Sequence, residues 1–216
     1  MTTALATMGF LSKLGLYTTG TAGVAGAAWY AYSRNTTFVP FSDSLYGPAA
    51  KLNPHHNPPV CIDEAVRTVP LSKLKYTSQD ELTKEFCRGI WGGWGFAYQR
   101  SYLDKKYRYL DGRQDHLWDK GDLLKSDYAL GTKITDHFEV VDRSDKRVVV
   151  RCGGSPMDQG LRPGDGIFSM EVDTDPAKEE VMFHLKSVFF NSTPEGGRAK
   201  LPWWFDFAHK QYTKLW

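Results

Sequence analysis

Six histidines and three cysteines carry most of the reactive chemistry in this 216-residue chain. His137 and His184 stand in stretches where apolar and polar side chains alternate. Alternation puts every second residue on one sheet face. On a common face the two would meet Asp136 or Glu171, and an imidazole beside a carboxylate is the usual proton-transfer pair. The same pattern also suits a solvated polar face. His137 and His184 are therefore the expected catalytic residues, should the domain be an enzyme. Cys61, Cys87 and Cys152 show no metal-ligand spacing of the C-x-x-C kind, and their odd number argues against a disulfide scaffold. They read as buried, reduced thiols. His55 and His56 precede Cys61, but adjacent histidines do not easily share one ion, and they sit in a proline-rich arm. No metal or other cofactor is expected.

A second cluster pairs glycine with tryptophan. Gly89, Gly92, Gly93 and Gly95 surround Trp91 and Trp94. Each glycine inside a helix costs roughly 1 kcal/mol against alanine, so either the helix breaks here or something packs on its bare backbone. Phosphate-binding spacings are absent. Small residues beside large aromatics suit close packing or the wall of an apolar pocket. Trp91 and Trp94, with Phe168 and Phe183 from later strands, are the expected ligand-binding residues. Further on, Arg100, Lys105, Lys106, Arg108 and Arg113 interleave with Tyr102, Tyr107 and Tyr109, and with Asp104 and Asp111. This reads as a solvated face or a contact for anionic head groups. The whole chain has 27 basic and 25 acidic side chains, a net charge of +2, so no nucleic-acid partner is expected.

The elements that must position these groups follow from periodicity. Ser78-Gln79-Asp80-Glu81 is a capping box opening a helix with Leu82, Phe86 and Ile90 on one face. Ile134, Asp136, Phe138 and Val140 share one strand face. Val148, Val150 and Cys152 follow after a turn, then Phe168, Met170 and Val172, then Val181, Phe183 and Leu185. Period-2 runs between turns predict antiparallel strands with one buried face. After Pro202, the stripe Trp204, Phe205, Ala208, Tyr212 and Leu215 predicts a docked terminal helix. Asn191-Ser192-Thr193 is a glycosylation triplet in an expected exposed loop.

The two ends of the domain differ from its body. Residues 1–34 form a leader whose only full charges are Lys13 and Arg34, and they bracket twenty uncharged residues, 14–33. A helix of that length spans about 30 Å, a bilayer core. Trp29, Tyr30 and Tyr32 gather at its end, as aromatics do at a membrane interface. A single-pass span is the reading, with a cleaved targeting peptide or a small-residue tail as alternatives. One Lys against one Arg does not orient it. Residues 35–59 carry five prolines and read as an extended arm lying on the domain. The folded domain is residues 60–216.

Helix, then antiparallel strands, then a terminal helix is the order of an α+β domain in which a curved sheet packs on helices. Over residues 60–216 that order resembles the helix-grip layout of START-like and polyketide-cyclase-like domains, with hot-dog and NTF2-like folds as alternatives. The resemblance rests on element order alone and carries over no site residue. Together with the leader and the aromatic content, this layout points to a membrane-tethered domain that binds an apolar small molecule or lipid, either handling it or taking it through a cyclase- or isomerase-type step of biosynthesis. The alternative is a non-enzymatic assembly or accessory factor of an organelle membrane. The endoplasmic reticulum and the mitochondrion are not distinguished.

Overall fold

A computed structural model describes residues 25–42, 46–196 and 202–215. The chain divides after Thr36 into two compact units. In the first, residues 25–33 form helix α1, with the Trp29 and Tyr32 rings 6.3 Å apart. Most of the expected 14–33 span lies outside the described residues. Among those described, no helix is long and apolar enough to cross a membrane.

The second unit is α+β. Its seven strands are β1 (Thr37–Val39), β2 (Cys61–Pro70), β3 (Lys133–Ile134), β4 (Phe138–Ser144), β5 (Arg147–Cys152), β6 (Asp165–Asp175) and β7 (Glu180–Phe190). They form one antiparallel sheet in the order β1-β2-β7-β6-β5-β4-β3. Strands β3 to β7 are a meander, as short turns between antiparallel neighbours dictate. β2 is far from β7 in the chain yet pairs with it along ten residues, from Cys61↔Phe189 to Pro70↔Glu180. The proline-rich arm supplies β1 and helix α2 (Tyr46–Leu52).

Both faces of the sheet are covered. On one side, Val148, Val150, Phe168, Met170 and Leu185 pack under α3 (Gln79–Gly92), α4 (Trp94–Tyr107) and α5 (Lys120–Lys125), which contribute Ile90, Trp91, Phe96, Leu103 and Leu123. On the other, Val149, Ile167, Val188 and Phe190 pack with Ala49 and Leu52 of α2. Each such buried side chain contributes roughly 1.5–3 kcal/mol. Because the side-chain period is two, one strand serves two different chemistries on its two faces.

Local signals explain the helices. Ser78 is the N-cap of α3, its Oγ accepting from the Glu81 amide at 3.4 Å. The glycine run both breaks the helix and permits close packing. Gly93 is extended, and a Cβ there would lie 2.3 Å from the Gly89 carbonyl oxygen. A Cβ on Gly92 would lie 2.5 Å from Leu124 of α5. The terminal helix α6 (Trp203–Thr213) docks through Phe205, His209, Tyr212 and Thr213, whereas Trp204 and Ala208 of the expected stripe are exposed.

Two further expectations are corrected. Asp136 and His137 are not in a strand: Thr135 and Asp136 take positive φ (45° and 61°) and turn the chain between β3 and β4. Asp136 is fixed there by Arg113 Nε (2.8 Å) and Ser155 Oγ (2.7 Å). Asn191 is buried, and its side chain accepts from the Thr193 amide and hydroxyl, so the triplet is not a presented loop. The basic strip keeps Tyr102, Lys105, Lys106 and Tyr109 exposed, in line with a solvated face, while its arginines are paired within the domain. Arg108 grips Asp104 and Asp119, Arg113 grips Asp136, and Lys106 lies over the rings of Tyr102 and Tyr107.

Candidate functional site

Between the sheet, α4 and α6 lies a cavity of about 250 Å³. The parity of β7 builds its floor: Leu185, Ser187 and Phe189 point into it, and Phe168 faces Ser187 from β6. Phe138 and Cys152 extend the apolar wall. Gln99, His137, His209 and Tyr212 supply polar atoms around it. The Tyr212 hydroxyl donates to Gln99 Oε1 at 2.8 Å, tying α6 to α4.

His209 is the most constrained of these groups. Its ring stacks on Phe205 (5.9 Å, 2°) and meets Phe189 edge-on (5.3 Å, 89°). Its Nε2 stands 2.7 Å from Asp63 Oδ2. Asp63 sits on β2 opposite Ser187, and Cys61, two residues earlier, shares its face. The Cys61 thiol donates to Asp63 Oδ2 at 3.8 Å. Burial, then the nearby Asp63 and Asp206 carboxylates, pushes that thiol up to about 12, so it is protonated at neutral pH. Burial likewise raises Cys152 and Cys87. The three thiols are buried and reduced, as their spacing predicted.

His137 stands on the cavity wall against the Tyr107 ring (4.8 Å), with Nδ1 3.8 Å from Asp136 Oδ2. Burial holds its pKa below the ordinary histidine value, and Asp136 only partly opposes this. Asp136 is already engaged by Arg113 and Ser155, which weakens any proton relay through it.

The structure does not bring His137 and His184 together. His184 is on the opposite face of β7, where Nδ1 lies 2.8 Å from Glu64 Oε1 and Nε2 lies 3.8 Å from Asp173. It belongs to a buried polar strip. The other Glu64 oxygen accepts from the Ser42 amide at 2.8 Å, Lys186 pairs with Glu171, and Ser169 Oγ donates to Glu171. Burial alone would raise the Glu64 carboxyl. The Ser42 amide, His184 and Lys186 outweigh it and hold the pKa below the usual range. None of the side chains of this strip lines the cavity.

Of the four aromatic residues expected to wall a ligand, Phe168 does so. Trp91 is fully buried behind it, 5.6 Å from the Phe168 ring and 4.9 Å from Phe138. Trp94, on the first turn of α4, is 60% exposed. Phe183 packs edge-on against Phe86 at the far end of the sheet, where it lines a separate cleft of about 270 Å³ with Leu74 and Tyr76. Sequence reasoning passed over Asp63, Ser187, His209 and Tyr212. Only the i, i+2 spacing of Cys61 and Asp63 was there to be read.

No family model, curated protein or solved structure matches the chain. Its chemistry is therefore argued from the cavity itself. An apolar floor with a polar corner orients a compound that has one polar end. A histidine 2.7 Å from a carboxylate can also take and return a proton, or join it in holding a cation.

Proposed function

We propose that residues 60–216 form a START-like helix-grip domain that holds an apolar small molecule in the cavity beneath α6, and that the leader tethers it to a membrane through residues 14–33. The observation that carries this reading is the cavity of about 250 Å³ lined by Phe138, Phe168, Leu185 and Phe189, with His209 at one corner. The element order also supports the layout: one strand, helices, a five-strand meander, a terminal helix, with the first of these strands closing on the last.

Volume narrows the ligand. At about 250 Å³ the space is below the usual range for drug-sized sites. It suits a small ring system or one segment of an acyl or isoprenoid chain, not a whole phospholipid. A ligand whose polar end reaches His209 could be shifted along an isomerase- or cyclase-type path by proton transfer there.

The test is native purification with mass spectrometry of co-purifying compounds, alongside binding of a fluorescent apolar probe. Leu185→Trp, which fills the cavity from its floor, should abolish probe binding while the domain stays folded. Full binding by that folded variant would overturn the reading. A second reading, an assembly factor of an organelle membrane, draws on exposed aromatics. Trp203 is 91% exposed and Tyr98 87%, and such side chains favour protein contacts. A stoichiometric protein partner with no bound compound would favour it. Deleting residues 1–34 should release the protein from membranes, and a truncation that still pellets after carbonate washing would refute the tether.

A further inference from the structure

We infer that Cys61, Asp63 and His209 form a binding site for a divalent transition-metal ion of zinc's character. The inference stands whether or not the cavity holds an apolar compound.

Three side chains from two elements converge on it. Cys61 and Asp63 project from the same face of β2, and α6 lays His209 across them. Their ligand atoms all lie within 4.8 Å of one another, with His209 Nε2 2.7 Å and Cys61 Sγ 3.8 Å from Asp63 Oδ2. Zinc bonds of about 2.0–2.3 Å at tetrahedral angles would set such atoms roughly 3.3–3.7 Å apart. Movements of about 1 Å or less in side-chain position therefore reach coordination.

A second observation is independent of the spacing. Asp63 is buried, only 5% exposed, and its Oδ1 has no hydrogen-bond partner. A buried carboxylate oxygen left without a donor is costly, and it marks a place where a cation is wanted. Position and rotamer are already set, because Phe205 and Phe189 clamp the imidazole from its face and its edge.

The donor set selects the metal class. One cysteine sulfur, which gives up its proton to solvent as the metal binds, one imidazole and one carboxylate suit zinc or its neighbours, and the sulfur disfavours magnesium and calcium. Three protein ligands leave a fourth position for water or another donor, the arrangement of zinc sites that do chemistry. His209 is also a wall residue of the cavity. Asp206, one turn before Lys210, is paired with it at 2.8 Å and is not counted among the ligands.

The test uses the full chain, stripped with a chelator and titrated with cobalt(II). One equivalent per chain should bind, with a thiolate-to-cobalt charge-transfer band and visible d–d bands, both displaced by zinc. Cys61→Ser should remove the charge-transfer band. Asp63→Asn and His209→Gln should each weaken binding more than about tenfold, since even outer-shell partners are worth 10–100-fold. His55→Ala/His56→Ala should leave it unchanged. Far-UV circular dichroism checks that each variant is folded. Absence of the band, its persistence in Cys61→Ser, or unchanged affinity in a folded His209→Gln chain would overturn the assignment. So would loss of binding in the His55→Ala/His56→Ala variant.

Discussion

Phe96 and Phe168 offer a controlled pair for testing whether the cavity is real in solution. Both rings are buried, and both pack on the same two neighbours. Phe96 is 4.9 Å from Trp91 and 5.8 Å from Phe138; Phe168 is 5.6 Å and 5.9 Å from them. They differ in what lies behind. Phe96 is enclosed, whereas Phe168 forms part of the cavity wall. Truncating a buried Phe to Ala costs about 3–5 kcal/mol, and the void adds about 24 cal/mol for each Å³ left unfilled. A sealed void of about 80 Å³ thus adds about 2 kcal/mol. At Phe168 the new space merges with the cavity, which water can enter, and most of that addition disappears. Phe96→Ala should therefore cost about 5 kcal/mol and Phe168→Ala about 3 kcal/mol. With a urea slope of about 2 kcal/mol/M, their unfolding midpoints should differ by about 1 M. A fluorescent apolar probe reads the other half. Loss of about 60 Å² of wall contact at about 25 cal/mol/Å² weakens binding roughly tenfold in Phe168→Ala. Phe96→Ala should leave it nearly unchanged. Equal midpoints together with equal probe affinities would refute the reasoning.

Other variants probe the frame around the site. Arg151 and Asp165 form a buried two-pronged pair (3.0 and 2.7 Å), with Ser192 Oγ donating to the same carboxylate at 2.9 Å; Asp165→Ala should cost about 3–5 kcal/mol in urea unfolding. Most of that loss should be recovered in the double variant Arg151→Met/Asp165→Leu, which leaves no charge behind. Burial holds His116 and His137 below the ordinary histidine pKa, so the unfolded chain binds protons first. Their contribution to stability is whole above about pH 6.5 and is lost as pH falls toward their folded values. His137→Gln should flatten that decline in urea midpoints taken between pH 7 and 5. Gly93→Ala forces a Cβ to within 2.3 Å of a carbonyl oxygen and should lower the melting temperature, by about 1–3 kcal/mol equivalent. Gly121→Ala in α5, where nothing lies within 4 Å, should be neutral or raise it.

What could be read from the residues depended on the range of the interaction. The Ser78 cap, the break among the glycines and the alternation in β5, β6 and β7 are local, set by sterics and pleat within a few residues, and all were legible. β2 was not. Its residues, Cys61–Pro70, interrupt apolar positions with Asp63, Glu64 and Arg67, because each face of this strand carries polar groups whose partners lie far away in sequence. The Asp63 partner is 146 positions on, at His209, and the Glu64 partner is 120 on, at His184. No periodicity encodes such pairs. The β3–β4 turn was misread for a related reason: Thr135 and Asp136 have positive φ without glycine, and the Arg113 and Ser155 bonds to Asp136 that hold the turn are tertiary.

The placement of the two histidines shows how little separates a site from a strut. His184 and Leu185 are neighbours on β7, yet the pleat sends them to opposite faces. One enters the strip of Glu64, Lys186 and Glu171; the other forms the cavity floor. Register sorts them. Leu185 is level with Met170 and Ala65, both apolar, while His184 is level with Glu171 and Val66. A slip of one residue would put the imidazole into the hydrophobic core and Leu185 among carboxylates, each at a cost of several kcal/mol. The polar strip thereby pins the register that aims Ser187 into the cavity and sets Asp63 level with it, within reach of His209. Removing the Glu64 carboxylate would therefore disturb a site on the other face of the sheet without touching it.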